Sequence, residues 1–506
     1  MTATPIRRQY LSVKRQYPDV IVFFRLGDFY ETFDDDARLA SSALDITLTS
    51  REMGRGNRVP MAGIPYHAAE GYIARLIAAG HKVAICEQIG QPNGRDLVER
   101  RVTRVVTPGT LTEPSMLEGS QNRYIVAIVV EGSRAGLAVA DLTTGEFATT
   151  EINTTTSDET IGTLRRELLR IAPVEVVVPE IEELNGAAPL EPLAALLSGH
   201  YVSRFERRAW RADRATDELR RHFAVESLEA FGCAGKPFAV RAAGGLLHYL
   251  QETQLDSVRQ ITELVTYSTE HFMPLDAQTR RNLELIESSR GDRRHSLIAV
   301  LDQTRTPMGS RLLRRWIGQP LLDRAPLEAR LDGVEFFVER ALARARVREG
   351  LGKVADLERL LNRVTTGTAG PRELLSLGRS LSQLPVIESV LGESSFTPDA
   401  GRFPDCSDIV SLIVRALVDE PPALLGGGPT IRRDFNDELD RLRASAHGSR
   451  EWIAKLEQVE RERTGIRSLK VGYNKVFGYY LEVSHANAGL VPDHYLRKQT
   501  LVGAER

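Results

Sequence analysis

The segment "DVIVFFRLGDFYETF", residues 19–33, sets our expectation for the fold at the start of the chain. It opens with an apolar run rich in β-branched and aromatic residues, positions 20–24, which is typical of a buried strand. Gly27 then predicts a sharp turn. Phe29 and Glu31 follow with one residue between them, so an extended backbone would place both side chains on the same side of a strand.

The surrounding residues predict a compact α/β domain over positions 1–108. Residues 34–45 favour a helix, because acidic side chains occupy the first turn and apolar residues recur at helical spacing. Residues 59–65, "VPMAGIP", predict a loop from their proline and glycine content. A helix over 67–79 and a strand over 83–86 are predicted to follow. "VVTPGTLTEPS", which begins at Val105, has turn chemistry and indicates a domain boundary.

The rest of the chain changes character twice. Three apolar runs within residues 124–152, separated by glycine-containing turns, predict an antiparallel meander in a mixed sheet with flanking helices over 121–258. Strand signals then nearly vanish, and most residues from about 275 to 464 favour helix. "SLKVGYNKVFGYYLEVS", residues 468–484, predicts a hairpin. The fold class is therefore multidomain: α/β, then all-α, then a small β-containing unit.

Composition excludes several classes of protein. The chain has 506 residues, 42% of them hydrophobic and 26% charged, which is typical of a globular protein with several cores. Lys and Arg number 66 against 68 Asp and Glu, a net charge of -2, so neither a uniformly basic coat nor an acidic tail is present. Cys86, Cys233 and Cys406 are too far apart to indicate disulfides or a zinc site. No apolar run suits a membrane span, and we expect a soluble, intracellular protein.

Enzymatic motifs are sparse. The G-x-x-x-x-G-K-[ST], H-E-x-x-H and G-x-S-x-G patterns do not occur. A meander also opens ribonuclease H-like nucleases, but these need clustered carboxylates to hold metal ions. Asp141 stands alone at the end of the second run, which favours a solvated or turn-capping role.

His67 has no catalytic partner nearby and is interpreted as a helix-start or packing residue. Trp316 and Trp452 are interpreted as core or interhelix packing.

Phe29 and Glu31 suggest a more specific function. An apolar ring at a strand end could wedge into a base stack from the minor groove, while the carboxylate tests the edge of the displaced base. On the pattern alone, a core phenylalanine beside a solvated glutamate remains the more common arrangement.

Several long motifs follow one another along the chain. The first four are "GDFYE", "LDITLTSR", "VPMAGIPYHAAEGYIARLIAAGHKVAICEQIG" and "VVTPGT"; then come "LDAQTRRNLEL" and "VLDQTRTPMGSRLLRRWIGQPLLD", and last "RERTGIRSLKVGYNKVFGYYLEVS" and "YLRKQTLVGAER". In this order they resemble the mismatch-binding domain, the core and the clamp of the MutS family of DNA mismatch repair proteins. The resemblance covers essentially the whole chain and favours the wedge hypothesis for Phe29 and Glu31.

The resemblance implies a domain layout and a role for each domain. The domains would be a mismatch-binding domain (1–108), a linker (109–120), a ribonuclease H-like connector without nuclease activity (121–258), an incomplete helical core and lever (259–449) and a clamp (450–506). The family's Phe-x-Glu reader falls on Phe29 and Glu31. Arg51 and Met61 lie in segments that approach DNA in the family, although a loop charge and a packed methionine would fit them nearly as well.

The clamp region carries local positive charge. Residues 461–506 contain eight basic and four acidic residues, a net of +4, which indicates either phosphate contacts or a solvated face. Lys470, Asn474 and Lys475 surround the predicted hairpin and are the better candidates for backbone contact. Arg497 and Lys498 are the weaker ones.

The resemblance also implies partners and cofactors. The partner of this chain would be mismatched double-stranded DNA, in the bacterial cytoplasm at the nucleoid, together with a MutL-type repair protein. Full-length family members bind ATP and Mg²⁺ in a further domain that also mediates homodimerisation. Since the chain stops at Arg506 without a Walker motif, we expect no ATP cofactor, no metal and no enzymatic activity in it, a doubtful dimer, and some apolar helix surface left exposed. The alternatives are a ribonuclease H-like metal-dependent nuclease and a helical scaffold that binds only proteins.

Overall fold

The computed structural model describes residues 4–54, 58–89, 98–180, 191–254, 258–392, 403–423, 425–474 and 478–506. The chain forms two compact units, Met1–Val410 and Ser411–Arg506. The division at 410 falls inside the region 259–449 that was predicted as one helical domain.

The helices are α1 Pro5–Gln16, α2 Asp34–Leu44, α3 Ala69–Ala78, α4 Ser157–Ile171, α5 Glu191–Leu197, α6 Ala212–Phe223, α7 Pro237–Gln254, α8 Ala277–Asn282, α9 Leu297–Leu301, α10 Pro307–Gly318, α11 Arg324–Glu339, α12 Ala341–Leu351, α13 Leu357–Thr365, α14 Pro371–Leu381, α15 Leu384–Leu391, α16 Ser407–Ala416 and α17 Asp437–Thr464. The strands are β1 Ile21–Leu26, β2 Phe29–Phe33, β3 Thr49–Glu52, β4 Arg58–Pro65, β5 Val83–Ile89, β6 Glu99–Val106, β7 Ile125–Glu131, β8 Arg134–Asp141, β9 Glu146–Asn153, β10 Glu175–Pro179, β11 Val202–Phe205, β12 Val265–Thr266, β13 Lys470–Asn474, β14 Gly478–Ser484 and β15 Ala504–Glu505.

The first sheet has the strand order β3-β4-β2-β1-β5-β6, in which only β1 and β5 pair in parallel. One face, with Val22, Phe24 and Phe33, packs against α1. The opposite face, with Phe23 and Ile64, packs against α2 and α3. This confirms the predicted helices, and α3 is preceded by a short 3₁₀ turn that contains His67, as a helix-start residue should be.

The predicted loop over residues 59–65 is wrong, because this segment is strand β4. It lies between β3 and β2, with Val59 and Ile64 buried. The two prolines of β4 are tolerated because each lies where β4 pairs with only one neighbouring strand. Pro60 pairs with β3 but lies one residue beyond the end of β2, which stops opposite Met61. Pro65, the last residue of β4, pairs with β2 but not with β3.

The second sheet confirms the predicted meander. Its order is β11-β10-β7-β8-β9-β12, and β7, β8 and β9 pair antiparallel. Helices α6 and α7 cover one face, while α4 and α5 cover the other. Strand β12, Val265–Thr266, lies beyond the boundary predicted near residue 258 and pairs in parallel with β9.

The segment predicted as a linker, 109–120, begins in a closely packed junction between these two sheets. The Gly109 N–H donates to Glu175 Oε2 at 2.9 Å, and the Thr107 hydroxyl donates to the same oxygen at 2.5 Å. A Cβ at Gly109 would lie 2.2 Å from Ile125, so only glycine allows this approach. The segment predicted as a linker therefore starts fixed to the second sheet by buried hydrogen bonds.

The helical character predicted after residue 259 is confirmed by α8–α17. Trp316 on α10 packs under the guanidinium of Arg330 on α11, at 3.9 Å, as predicted for an interhelix residue. The packing prediction for Trp452 is wrong, because its side chain is 64% exposed on α17. Helical spacing identified the apolar side of this helix, but it does not show whether another part of the protein packs against that side.

The exposed apolar surface expected from the sequence is present on α11, where Leu331, Val334 and Val338 are all largely exposed. In the second unit, β13, β14 and β15 form an antiparallel sheet, which confirms the predicted hairpin. Among the described residues, no helix combines the length and apolarity that a bilayer span requires.

Candidate nucleic-acid interface

Phe29 lies at the tip of the β1–β2 hairpin. Leu26 pairs with Phe29 across a two-residue turn, and Gly27 adopts φ +62°, a conformation that glycine takes at little cost. The Phe29 ring is 47% exposed, whereas the next residue, Tyr30, is buried. The turn thus presents an aromatic ring to solvent from a rigid strand.

The strand alternation places Phe29, Glu31 and Phe33 on one face of the sheet. Helix α1 covers only one end of this face: the Tyr10 ring packs edge-on against Phe33 at 4.9 Å. Phe33 is therefore buried, while Phe29 and Glu31 remain beyond the helix. The structure has the predicted same-side arrangement, and the end of the sheet that carries the exposed Phe29 is the candidate DNA-reading surface.

Glu31 is not a freely solvated carboxylate. Arg51 on β3 lies with Nη1 2.5 Å from Glu31 Oε2, and the Glu31 side chain is only 15% exposed. The sequence had suggested Arg51 as a residue near the DNA backbone, but its partner in this structure is the carboxylate next to Phe29. Spacing along the chain gave no signal for this pair, because 20 residues separate its members.

Met61 belongs to the packed part of the same face. It lies opposite Phe33 on β2 and Thr49 on β3, and it packs against the cluster that includes Val59 and Phe33. This placement matches the packed-methionine interpretation that the sequence left open.

A second aromatic group at the hairpin turn was missed by sequence reasoning. The Tyr66 N–H donates to the Asp28 carbonyl at 3.0 Å, and the Arg25 guanidinium lies 3.6 Å from the centre of the Tyr66 ring. Arg25 also donates to the Gly27 carbonyl at 2.5 Å. These contacts brace the turn that presents Phe29, and β4 would have had to be recognised as a strand to predict them.

The β13–β14 hairpin carries the other candidates. Lys470 is exposed at the start of β13, opposite Glu482. The backbone of Asn474 pairs with Gly478, whereas its side chain and the whole of Lys475 lie outside the described residues. Tyr473 and Tyr479 face each other across the strands with ring centres 5.0 Å apart, and both are exposed.

Much of the basic charge in this region is already neutralised. Four of the arginines form ion pairs, namely Arg461 with Glu457, Arg463 with Glu460, Arg497 with Glu505 and Arg506 with Glu482. Arg467, Lys470 and Lys498 are exposed, and none has a carboxylate partner within the described part of the chain. A count of charges in the sequence therefore overstates the charge available for phosphate.

Asp141 has a structural role as a cap. It is fully buried at the end of β8, and its Oδ1 accepts from the Thr143 N–H at 2.8 Å and hydroxyl at 2.7 Å. Its Oδ2 accepts from the Arg123 N–H and the Asn122 amide, both at 2.9 Å. Both oxygens are thus occupied, which agrees with the turn-capping interpretation and leaves the nuclease alternative without support.

Metal-binding potential within the described residues is confined to Glu206, His248 and Glu252, whose ligand atoms lie within 4.8 Å of one another. Glu206 Oε1 already accepts from Arg208 Nε at 2.7 Å.

The three cysteines are free, and burial raises the pKa of the Cys86 thiol to about 12.

The chain matches three family models in the same order as its sheets and helices: MutS domain I over residues 4–115, MutS domain II over 123–262 and MutS domain III over 278–486. It is also similar over its whole length to curated proteins described as "DNA mismatch repair protein MutS". That of Dehalococcoides mccartyi is 46% identical, with 99% of this chain aligned, and that of Symbiobacterium thermophilum is 46% identical, with 100% aligned. That of Halothermothrix orenii is 43% identical, with 99% aligned.

The chain belongs to the MutS family.

It spans about 58% of the length of the Dehalococcoides and Symbiobacterium relatives and 56% of the Halothermothrix one. The MutS domain I match contains Phe29, Glu31 and Arg51, and the MutS domain II match contains Asp141. The MutS domain III match contains the β13–β14 hairpin with Lys470. The candidate reading surface and the candidate backbone-contacting hairpin therefore lie in different MutS domains.

Proposed function

We propose that this chain recognises mispaired or looped duplex DNA. The single observation that carries the proposal is the exposed Phe29 ring at the hairpin tip, with the partly buried Glu31 beside it on the same face of a MutS domain I. Phe29 enters the base stack from the minor groove, and Glu31 probes the displaced base. The β13–β14 hairpin holds the phosphate backbone.

The energetics of DNA bending explain why such a ring discriminates. Unstacking one base step costs on the order of a few kcal/mol. A mispair has already lost part of its pairing and stacking energy, so the same deformation is easier there. Phe29 replaces a base–base contact with a ring–base contact of about 1–3 kcal/mol. Because about 1.4 kcal/mol corresponds to a tenfold change in affinity, we expect a preference of about ten- to a few hundredfold.

Glu31 adds selectivity rather than affinity. A carboxylate near phosphates is repelled, and the repulsion is offset only when a displaced base offers it a hydrogen bond. Matched base pairs keep their hydrogen-bonding edges occupied, so they cannot offer this compensation. Glu31 thus disfavours ordinary DNA more than mismatched DNA.

Family membership supports further proposals about partners. We propose that the full-length protein works in the bacterial cytoplasm with a MutL-type repair partner. We also propose that ATP binding, Mg²⁺ binding and homodimerisation are functions of family domains other than the three matched here. The chain itself would act by binding, without a chemical step of its own.

The decisive experiment compares the dissociation constants of this chain for a matched duplex and for the same duplex with a single mispair. We expect Phe29→Ala to abolish the preference for the mispaired duplex while leaving salt-sensitive binding to both, because the phosphate contacts remain.

Leu39→Ala is the matched control, since Leu39 on α2 is an apolar side chain in the same domain with the same exposed fraction, 47%. It should keep the preference. A Phe29→Ala protein that discriminates as well as the unmodified chain would refute the wedge. Equal and negligible binding of both duplexes by the unmodified chain would instead favour the protein-binding scaffold.

A further inference from the structure

The Glu31 carboxylate is fixed through one of its two oxygens. Arg51 Nη1 lies 2.5 Å from Oε2, and the Arg51 side chain is 40% exposed. Among the described residues, no donor forms a hydrogen bond with the other oxygen, Oε1. One oxygen of the proposed base-probing group is therefore engaged by protein, and one acceptor is left for a ligand.

The sheet holds the two side chains on one face. Strand β4 separates β2 from β3, and in its register Glu31 lies opposite Gly63 while Arg51 lies opposite Val59. Val59 and Gly63 are an even number of residues apart, so both pairs share a face. The ion pair thus reaches across a central strand and ties the orientation of Glu31 to the sheet rather than to a loop.

We propose that Arg51 is a positioning residue for Glu31: it fixes the carboxylate through Oε2 and leaves Oε1 as the acceptor for a displaced base. The proposal rests on the proposed function above. It assigns Arg51 a role in discriminating mispaired from matched DNA, beyond any contact that it makes with phosphate.

The charge of Arg51 has a second consequence. The Arg51 guanidinium offsets part of the repulsion between the Glu31 carboxylate and the phosphates, and the part that remains still acts against matched DNA. The pair can approach the duplex, and the hydrogen bond to Oε1 then decides whether the complex is favoured. Without Arg51, Glu31 is free to turn away from the bases towards solvent, and its selectivity is lost.

The competing view, that Arg51 only contacts a phosphate, makes a different prediction. A phosphate contact is independent of base sequence, so its loss weakens binding to matched and mispaired DNA by the same factor. A positioning residue acts through Glu31, so its loss changes the ratio of the two dissociation constants, and only while Glu31 is present.

The experiment is a double-mutant cycle on this chain. Dissociation constants for matched and singly mispaired duplexes are measured for Arg51→Met, Glu31→Ala and the double variant. We expect Arg51→Met to lower the matched-to-mispaired ratio about fivefold, as suits a partly exposed ion pair. In the Glu31→Ala background, where no acceptor is left for Arg51 to position, Arg51→Met should leave the ratio unchanged. Arg51→Lys should restore most of it, because an ammonium can make the same single contact.

Arg38→Met is the control, since Arg38 is an exposed arginine on α2 in the same domain; it should leave the ratio unchanged. A misfolded fraction alters both constants of one preparation alike, so the ratio is insensitive to it. An unchanged ratio in Arg51→Met, or an equal fall in both backgrounds, would overturn the proposal. If Phe29→Ala keeps the full mismatch preference, the proposed function fails; if Phe29→Ala loses it but the cycle is additive, only the role of Arg51 fails.

Discussion

At the scale of single residues, burial separates carboxylates that support the fold from one that can meet a ligand. Asp141 is fully buried, with four hydrogen-bond donors on its two oxygens. Glu31 is partly exposed and held through one oxygen by Arg51. The two carboxylates both follow β-rich sequence, yet only Glu31 keeps an acceptor for an external partner.

Asp141→Asn should destabilise the second sheet without affecting any catalysis. The amide NH₂ would replace an oxygen that accepts from buried donors, which costs about 2–3 kcal/mol. For a domain of roughly 150 residues this corresponds to a fall of about 5–10 °C in the midpoint of thermal unfolding. Differential scanning calorimetry measures it.

Asp217→Asn, at an exposed position on α6, is the control and should leave the midpoint within about 1–2 °C. If instead the Asp141→Asn protein kept its midpoint but lost a metal-dependent cleavage of nucleic acid, the nuclease alternative would be correct.

Sequence periodicity predicted the shared face of Phe29 and Glu31 but not the contact between Glu31 and Arg51. A one-residue separation in an extended strand placed Phe29 and Glu31 together, because that geometry is local. The Arg51 contact depends on the order β3-β4-β2, which is a property of the whole sheet. Spacing alone could not have identified it.

At the scale of elements, strands were predictable where the signal is local and not where it depends on neighbouring strands. The meander and the β13–β14 hairpin were predictable because apolar runs and turn residues recur at short range. Strand β4 was not, since Pro60 and Pro65 signal a loop unless the ends of the neighbouring strands are known. Trp452 was misjudged because helical spacing does not reveal which side of a helix is covered.

Among the candidate phosphate contacts of the second unit, basic residues without a carboxylate partner are the stronger candidates. Lys470 is exposed with no carboxylate partner among the described residues, whereas Arg497 is paired with Glu505. If Lys470 neutralises one phosphate, Lys470→Ala should lower the slope of log binding constant against log salt concentration by about 0.9. Titrations of matched duplex at several salt concentrations measure the slope.

Arg497→Ala provides the comparison, because it removes a basic residue from the same unit. Its slope should change less than that of Lys470→Ala, since the arginine charge is already offset by Glu505. Equal slopes for Lys470→Ala and the unmodified chain would remove Lys470 from the DNA-contacting surface.

At the scale of the whole molecule, the first unit is held together by arginines of the helical region. Arg311 on α10 has a side chain only 3% exposed; it donates to both oxygens of Asp356, at 2.7 Å each, and to Glu358 at 2.6 Å. It also donates to the Gly119 carbonyl at 2.8 Å. Arg359 donates to the Gln121 carbonyl at 2.7 Å. The segment that follows the MutS domain I match is thus anchored to the helices by charged donors.

Arg311→Met should loosen this junction. Removing Arg311 leaves Asp356 with Arg359, whose Nε lies 3.8 Å away, as its remaining ion-pair partner, and the lost hydrogen bonds to Asp356 cost about 1–3 kcal/mol. The Gly119 carbonyl would also lose its donor, so we expect faster amide hydrogen exchange across residues 109–123 and a lower midpoint of thermal unfolding.

Arg315→Met tests whether any arginine of α10 has this effect. Arg315 is half-exposed, and within the described part of the chain its ion-pair partner is Glu146, at 3.1 Å. Exchange across 109–123 that rises equally in both variants would mean that Arg311 is not the anchor. A selective rise would show that the segment after MutS domain I is held by a buried charge far along the sequence, which no local pattern could have revealed.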